Sequence, residues 1–348
     1  MIVKEWNQIK NKQFAPFYLL YGEEDYLLQE TRQLLMKHVV NEEELDFNFS
    51  VHDLSDGASL EAAVEDAESF PFMGERRLVF IDHPVFLTAE KKKDGQESTA
   101  ALEKYIASPA PYTVLVLYIP VAKLDERKKI TKALKKSGVV IEAKNLSEHD
   151  LKGWIQSRAS ASHVKIEDDA LEKLVSLTGA NLFMLSAEIE KLALFSRNEG
   201  VISLKTVLTL TPKSVEQNVF DLIEYAVGGK IDQALDLYHD LLKQKEEPLK
   251  ILALLAGQFR LIYQVKSMTE KGFSQQQAAS RLKVHPYRVK LSQNHARFFT
   301  YDQLAQIIQL LAQSDLALKT SSGRKEMVLE LFLTRLPGIM KSKSNTGN

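Results

Sequence analysis

Apolar residues in the first 145 positions alternate between two spacings. Short runs rich in branched and aromatic residues predict five strands, at 17–21, 47–54, 77–81, 113–119 and 139–141. Apolar residues at helical spacing predict helices between them, at 24–38, 60–69, 100–106 and 125–136. Strands that alternate with helices predict βαβ units, and therefore an α/β domain with a buried, mostly parallel sheet.

After residue 145 the strand pattern stops and helical spacing continues. Capping-box patterns at Ser147–Asp150 and Ser214–Gln217 predict two helix starts, and Gly228-Gly229 predicts a helix end. Further helices are predicted at 168–177, 181–195, 203–210, 231–244, 247–268, 274–282, 286–297, 300–320 and 324–335. The pattern predicts an α/β domain at 1–145, a small helical domain at 146–212 and a larger one at 213–340. The polar segments 90–97 and 341–348 are predicted to be a mobile loop and a disordered tail.

Composition narrows the classes of function. The chain has 348 residues, no cysteine, and 45 basic against 46 acidic residues. The lack of cysteine excludes disulfides, cysteine metal sites and thiol nucleophiles. The balanced charge argues against a globally basic nucleic-acid binder. The early charges at Lys4 and Glu5 argue against a signal peptide, and no apolar run approaches the roughly 20 residues of a membrane span. We therefore predict a cytoplasmic protein with no membrane contact.

The first strand–helix turn is where an α/β nucleotide-binding domain places its phosphate loop. Here Gly22 is followed by Glu23, Glu24 and Asp25, with no lysine, so the turn would repel a triphosphate. The acids suit the start of a helix instead. Asp82-His83, at the end of the third strand, has no phosphate loop to serve. We predict no catalytic residue, no metal site and no cofactor.

The connection before the third strand contains large apolar residues where a polar loop is expected. Phe70, Pro71, Phe72, Met73 and Gly74 lie there in succession. Exposed, these side chains would form an adhesive tip for a partner pocket. Folded under the edge of the sheet, they would be ordinary core, and the sequence pattern leaves both interpretations open.

The segment 274–297 carries five basic residues and no acidic one. They are Arg281, Lys283, Arg288, Lys290 and Arg297. The apolar spacing around them resembles a helix-turn-helix, with Lys283 at the turn position where glycine is usual. Base-specific reading of DNA, sequence-independent attraction to phosphates and a solvated helical face all remain open for this segment.

Four segments together resemble the delta subunits of the bacterial DNA polymerase III clamp loader. They are FYLLYGEEDYL at 17–27, FPFMGERRLV at 70–79, SVEQNVFDL at 214–222, and the stretch from EPLKI at 247–251 through QFR at 258–260 to VHPYRVK at 284–290. The resemblance extends along essentially the whole chain. It implies an AAA+-like α/β domain without a working ATP site, a three-helix lid over 146–212 and a helical oligomerisation collar over 213–340.

The resemblance also implies a function. Delta subunits bind the beta sliding clamp and hold its ring open for loading on primer–template DNA, in a complex with gamma/tau and delta-prime subunits. In this chain the clamp contact would be Phe72 and Met73, flanked by Phe70, Pro71 and Gly74. No intrinsic catalysis is implied, although the holoenzyme is a DNA-directed DNA polymerase, a nucleotidyltransferase. The alternatives are a helix-turn-helix regulator, a catalytic AAA+ ATPase and a scaffold that contacts neither clamp nor DNA.

Overall fold

The computed structural model describes residues 3–89, 98–320 and 324–341. The chain divides into two compact units, Met1–Asn145 and Leu146–Asn348. The predicted loop at 90–97 and all but the first residue of the predicted tail lie outside the described residues. That first residue, Lys341, is the last residue of a helix.

The first unit alternates helices and strands. In chain order its elements are α1 (Val3–Lys10), β1 (Phe17–Gly22), α2 (Asp25–Val39), α3 (Leu45–Asn48), β2 (Phe49–Asp53), α4 (Leu60–Glu68), β3 (Arg77–Asp82), α5 (Ala100–Ala107), β4 (Thr113–Ile119), α6 (Lys129–Ser137) and β5 (Val139–Ala143). Short 3-10 turns occupy Glu42–Glu44 and Val85–Leu87. The five predicted strands are all present, though their bounds differ in places.

The five strands form one parallel sheet in the order β2-β3-β4-β1-β5. Every residue of β1 and β4 is buried, because helices cover both faces of the sheet. One core cluster joins sheet residues such as Leu19, Val79 and Leu115 to the apolar faces of α4, α5 and α6. The carboxyl ends of parallel strands share one edge of the sheet, so the amino ends share the opposite edge.

Three features of this unit differ from the prediction. Helix α1 was not predicted. Helix α6 was predicted from residue 125 but begins at Lys129, because Asp125 accepts hydrogen bonds from Arg127 and holds 125–128 as a turn. The predicted strand 47–54 was wrong at its start. Phe47 and Asn48 belong to the short helix α3, and the strand begins at Phe49.

The second unit is almost entirely helical. Its elements are α7 (Glu148–Ala161), β6 (Lys165–Ile166), α8 (Asp168–Thr178), α9 (Leu182–Phe195), β7 (Val201–Ile202), α10 (Leu204–Leu210), α11 (Val215–Val227), α12 (Ile231–Lys243), α13 (Pro248–Glu270), α14 (Gln275–Leu282), α15 (Pro286–Ala296), α16 (Tyr301–Thr320) and α17 (Lys325–Lys341). In the described part of the chain no helix is both long enough and apolar enough to cross a bilayer.

The predicted helix starts are visible as side-chain caps. The Ser147 hydroxyl accepts a hydrogen bond from the Asp150 amide at 3.1 Å, and the Ser214 hydroxyl accepts one from the Gln217 amide at 3.2 Å. Two short strands, β6 and β7, pair in parallel where only helices were predicted. The predicted fold class is confirmed, since a parallel α/β unit is followed by a mostly helical one.

Candidate functional site

The apolar loop, which we define as residues 69–76, leaves α4 and enters β3 at the amino edge of the sheet. Its side chains face solvent: Phe70 is 78% exposed, Phe72 56% and Met73 85%. The interpretation that they fold under the edge of the sheet is therefore wrong. Pro71 and Gly74, in the same loop, are half-buried.

The buried side chain of Asn48 holds the main chain of the apolar loop. Its Oδ1 accepts a hydrogen bond from the Phe72 amide at 2.6 Å, and its Nδ2 donates one to the Phe72 carbonyl at 2.8 Å. Asn48 is fully buried, whereas Phe72 is exposed, so both bonds are partly buried. One residue on α3 thus fixes the backbone at the centre of the loop while the Phe72 ring remains outside.

The next two residues are shaped by the same contact. Met73 has a φ of 54°, in the left-handed region that residues other than glycine seldom occupy. A Cβ on Gly74 would lie 2.5 Å from a Glu44 carboxylate oxygen and 2.8 Å from Nδ2 of Asn48. Only glycine fits at 74 without a shift, because the backbone passes so close to Glu44 and Asn48.

Aromatic rings support the apolar loop on two sides. The Phe47 ring lies 5.3 Å from the Phe72 ring between centroids, and the Phe70 ring stacks on Tyr112 at 4.7 Å. The Tyr112 hydroxyl donates to the Glu68 carbonyl at 2.8 Å. These neighbours meet because β2, β3 and β4 are adjacent, and each side chain precedes one of those strands.

Phe47 is a member of this surface that the sequence analysis missed. It is 59% exposed, and it belongs to α3, where the sequence predicts the start of a strand. The only sequence signal was a large aromatic residue after the acidic run 42–44, which is too common a pattern to indicate a surface cluster.

An ion-pair network ties together the two ends of the apolar loop. Asp66, on α4, accepts hydrogen bonds from Arg77 at the start of β3, from Ser50 and from His52. Burial opposes ionisation of Asp66, but the bonds from His52, Ser50 and Arg77 outweigh it and lower the pKa of the carboxyl. Arg77 also donates to the Phe47 carbonyl at 3.2 Å, which joins α3 to the network.

The β1–α2 turn, at the carboxyl edge of the sheet, is closed by its own backbone. The amides of Glu23 and Glu24 both donate to the Ala143 carbonyl, at 2.9 and 3.0 Å. A Cβ on Gly22, whose φ is 148°, would lie 2.1 Å from that same oxygen. Burial raises the pKa of Glu24 to about 7. Amides that would hold a phosphate in a nucleotide-binding turn are thus already paired.

Asp82 and His83 also have structural partners. Asp82 accepts a hydrogen bond from Arg32 on α2 at 2.7 Å, and the Arg32 guanidinium lies 4.4 Å from the centroid of the Phe80 ring. His83 contacts Asp53 through Nδ1 at 3.0 Å. Among the described residues no cluster of three or more acids and histidines has metal-binding geometry.

The basic segment 274–297 forms two short helices around a tight turn. Ser274 and Gln277 make a capping box at the start of α14, and Lys283 ends that helix with a φ of 54°. Ala278, Ala279 and Val289 pack with residues of α13 in a small core. With this positive φ, Lys283 occupies the left-handed turn position that the sequence predicted, although glycine is usual there.

The five basic side chains of this segment are exposed, but their surroundings differ. Lys290 pairs with Glu148 on α7 at 2.9 Å, and the Arg281 guanidinium lies 5.4 Å from the Phe273 ring centroid. Among the described residues, Lys290 is the one of these five that forms an ion pair with a carboxylate. Arg281, Lys283, Arg288 and Arg297 form none, although the charge of Glu216 acts on Arg288.

Comparison with known families identifies three consecutive parts of the chain. Residues 18–144 match the family described as DNA polymerase III, delta subunit, and residues 216–336 match its C-terminal domain. Residues 147–209 match a family described as a middle domain.

A relative from Bacillus subtilis, named DNA polymerase III subunit delta, is 48% identical over 97% of both chains. This chain belongs to the DNA polymerase III delta-subunit family. A probable member from Aquifex aeolicus is 25% identical over 73% of this chain and 72% of its own. A solved delta-subunit structure, the Bacillus subtilis DNA clamp loader delta protein, superposes with a TM-score of 0.84 and 47% identity. It covers 97% of this chain and all of its own.

Proposed function

We propose that this delta-family chain is the clamp-loader subunit that binds the sliding clamp and holds its ring open for loading on primer–template DNA. The observation that carries the proposal is the apolar loop. Phe70, Phe72 and Met73 are exposed on a backbone that Asn48 fixes. A loop with exposed apolar side chains and a fixed backbone is suited to insertion in an apolar pocket of a partner.

Burial of the loop would supply an anchor. Fully burying one phenylalanine and one methionine contributes about 3–6 kcal/mol on the scale of apolar transfer. That is enough to dominate a small interface, where a few residues carry most of the binding energy. Phe72 and Met73 are assigned this role, and Phe70, Pro71 and Gly74 complete the loop that presents them.

Holding the ring open requires more than an anchor. A subunit shifts the clamp toward an open state only if it binds that state more tightly than the closed ring. We therefore assign the opening to differential binding, with no chemical step on this chain. Support comes from the β1–α2 turn, whose amides are paired with Ala143 and which contains no lysine.

The remaining contacts follow the predicted domains. We assign residues 146–212 to a lid and residues 213–340 to a collar that joins gamma/tau and delta-prime subunits. Arg281, Lys283, Arg288 and Arg297 are assigned to sequence-independent attraction of DNA phosphates, because among the described residues none of them forms an ion pair with a carboxylate. Lys290 is a weaker candidate, since Glu148 already pairs with it. The cytoplasmic location and the lack of a cofactor stay predictions.

The test is the affinity of the full chain for its cognate sliding clamp. The double change Phe72→Ala/Met73→Ala is expected to weaken binding by about 3 kcal/mol or more, with an unchanged melting temperature. The chain offers a matched control, because Phe183-Met184 on α9 is another exposed Phe-Met pair. Phe183→Ala/Met184→Ala should leave the affinity for the clamp unchanged.

Three outcomes would contradict the proposal. Equal losses for both double variants would mean that the apolar loop has no special role. Absence of clamp binding by the wild-type chain would remove the function itself. Tight binding that leaves the ring closed, as read from fluorescent labels across a clamp interface, would leave an anchor without the opening activity.

A further inference from the structure

The amino edge of the sheet brings together side chains from segments far apart in the sequence. β2, β3 and β4 are consecutive neighbours in the sheet. Phe47 lies two residues before β2, and the apolar loop ends at the residue before β3. Since the strands are parallel and in register, the residues before them meet at one edge, and Phe47 meets Phe72 there.

We propose that Phe47 contacts the sliding clamp together with the apolar loop. We also propose that Asn48 is a positioning residue, which holds Phe72 and Met73 in the conformation that binds the clamp. This inference rests on the proposed function, because it takes the same partner at the same edge. It names a second segment, α3, that the clamp would contact, and it assigns the shape of the loop to one buried amide.

Continuity with the apolar loop supports a direct contact for Phe47. Its ring lies 5.3 Å from that of Phe72, so a pocket that receives Phe72 would also cover part of Phe47. The main chain at Phe47 is held by Arg77, which donates to its carbonyl at 3.2 Å. The partner is therefore expected to present an apolar pocket wide enough for two tilted aromatic rings beside a thioether.

The geometry of Asn48 supports a positioning role. A side-chain amide can donate through its nitrogen and accept through its oxygen. Asn48 does both with one residue, because it donates to the Phe72 carbonyl and accepts from the Phe72 amide. Met73, the next residue in the chain, has a left-handed backbone conformation. This conformation is energetically unfavourable for a residue other than glycine, and without the Asn48 amide it would lose the hydrogen bonds that stabilise the neighbouring backbone.

For Phe47, the experiment compares two exposed phenylalanines in clamp affinity. Phe47 is 59% exposed and Phe195, at the end of α9, is 63% exposed. Phe47→Ala is expected to weaken clamp binding about tenfold, as for a secondary contact beside an anchor, while Phe195→Ala leaves it unchanged. If Phe72→Ala/Met73→Ala abolishes binding and Phe47→Ala does not weaken it, this inference fails and the proposed function stands. If neither Phe72→Ala/Met73→Ala nor Phe47→Ala weakens clamp binding, both this inference and the proposed function fail.

For Asn48, the experiment is a double-mutant cycle on clamp affinity. Asn48→Asp keeps the shape but replaces the donor to the Phe72 carbonyl by a second acceptor. It is expected to weaken binding about tenfold in the wild-type background, and much less in a Phe72→Ala/Met73→Ala background. Equal losses in the two backgrounds would show that Asn48 does not act through Phe72 and Met73, and would overturn its positioning role.

A second variant keeps the test decisive if Asn48→Asp does not fold. Gly74→Ala places a methyl group against Nδ2 of Asn48 and the Glu44 carboxylate without removing any buried side chain. The same cycle with Phe72→Ala/Met73→Ala should show the same coupling. Additive losses here would also contradict the positioning role.

Discussion

The β1–α2 turn and the apolar loop lie at opposite edges of the same parallel sheet, and they have opposite designs. In the turn, backbone amides are paired internally and the acidic side chains face outward or are half-buried. In the loop, a side chain holds the backbone and apolar groups are left outside. Ligands of open α/β sheets usually bind at the carboxyl edge. Here the β1–α2 turn at that edge is closed, and the exposed apolar side chains lie at the amino edge.

The largest expected effect tests how tightly the turn is closed. Gly22→Ala would place a Cβ 2.1 Å from the Ala143 carbonyl oxygen at a φ of 148°. We expect a loss of about 3 kcal/mol in the free energy of unfolding, from strain and displacement of Ala143. Urea unfolding of the full chain measures it.

Gly57→Ala is the control for that prediction. Gly57 also has a positive φ, of 91°, but a Cβ there meets nothing within 4 Å. Gly57→Ala should lose less stability than Gly22→Ala, because it adds backbone strain at a positive φ but no steric clash. Equal losses would show that the approach of Gly22 to Ala143 is not what closes the turn.

The next effect tests the network under the apolar loop. Asp66→Asn removes the charge that Arg77 and His52 contact, and we expect a loss of about 2 kcal/mol in the free energy of unfolding. The pKa of Asp66 is lowered in the folded chain. The contribution of this carboxylate is therefore present above about pH 4 and is lost as pH falls through the lowered pKa.

Unfolding of wild type and Asp66→Asn should be compared at pH 7 and at acidic pH. The difference between them should shrink on acidification. Glu126→Gln, which breaks an exposed ion pair with Lys135 in the same unit, should change stability little at either pH. A difference for Asp66→Asn that does not depend on pH would contradict a role for its charge.

The smallest effect has the opposite sign and belongs to the turn. Burial raises the pKa of Glu24 to about 7, so the folded chain binds this proton more tightly than the unfolded chain. Its stability should fall as pH rises from about 4.5 toward 7. Glu24→Gln should be more stable than wild type by about 1 kcal/mol at pH 8, and should lose that advantage at pH 4. A stabilisation that is equal at both pH values would mean that ionisation of Glu24 is not its cause.

Long periodic segments were predictable from the sequence, and side-chain contacts between segments were not. Thr113–Ile119 was predicted as a strand with its observed bounds, because seven apolar or branched residues in succession leave little choice. The exposed state of Phe72 was undecidable, since apolar residues in a loop pack inward or outward with equal local propensity. Its fixation by Asn48 depends on the adjacency of β2 and β3, which no local pattern reports.

Phe47 shows the same limit more sharply. The sequence predicts a strand from Phe47, but Phe47 lies in the short helix α3, whose last residue, Asn48, contacts the loop. Composition did single out the connection at 70–74, because three large apolar residues are unusual in a loop. It left open whether they are exposed, and the clamp-contact prediction came from the family resemblance.

The left-handed backbone at Met73 limits which residues can replace it, independently of any partner. Branching at Cβ is poorly tolerated at a φ of 54°, so valine and isoleucine are disfavoured even though they are apolar. Glycine would relax the backbone but would remove the thioether. The backbone at this position therefore selects for side chains without a branch at Cβ, whatever partner the loop contacts.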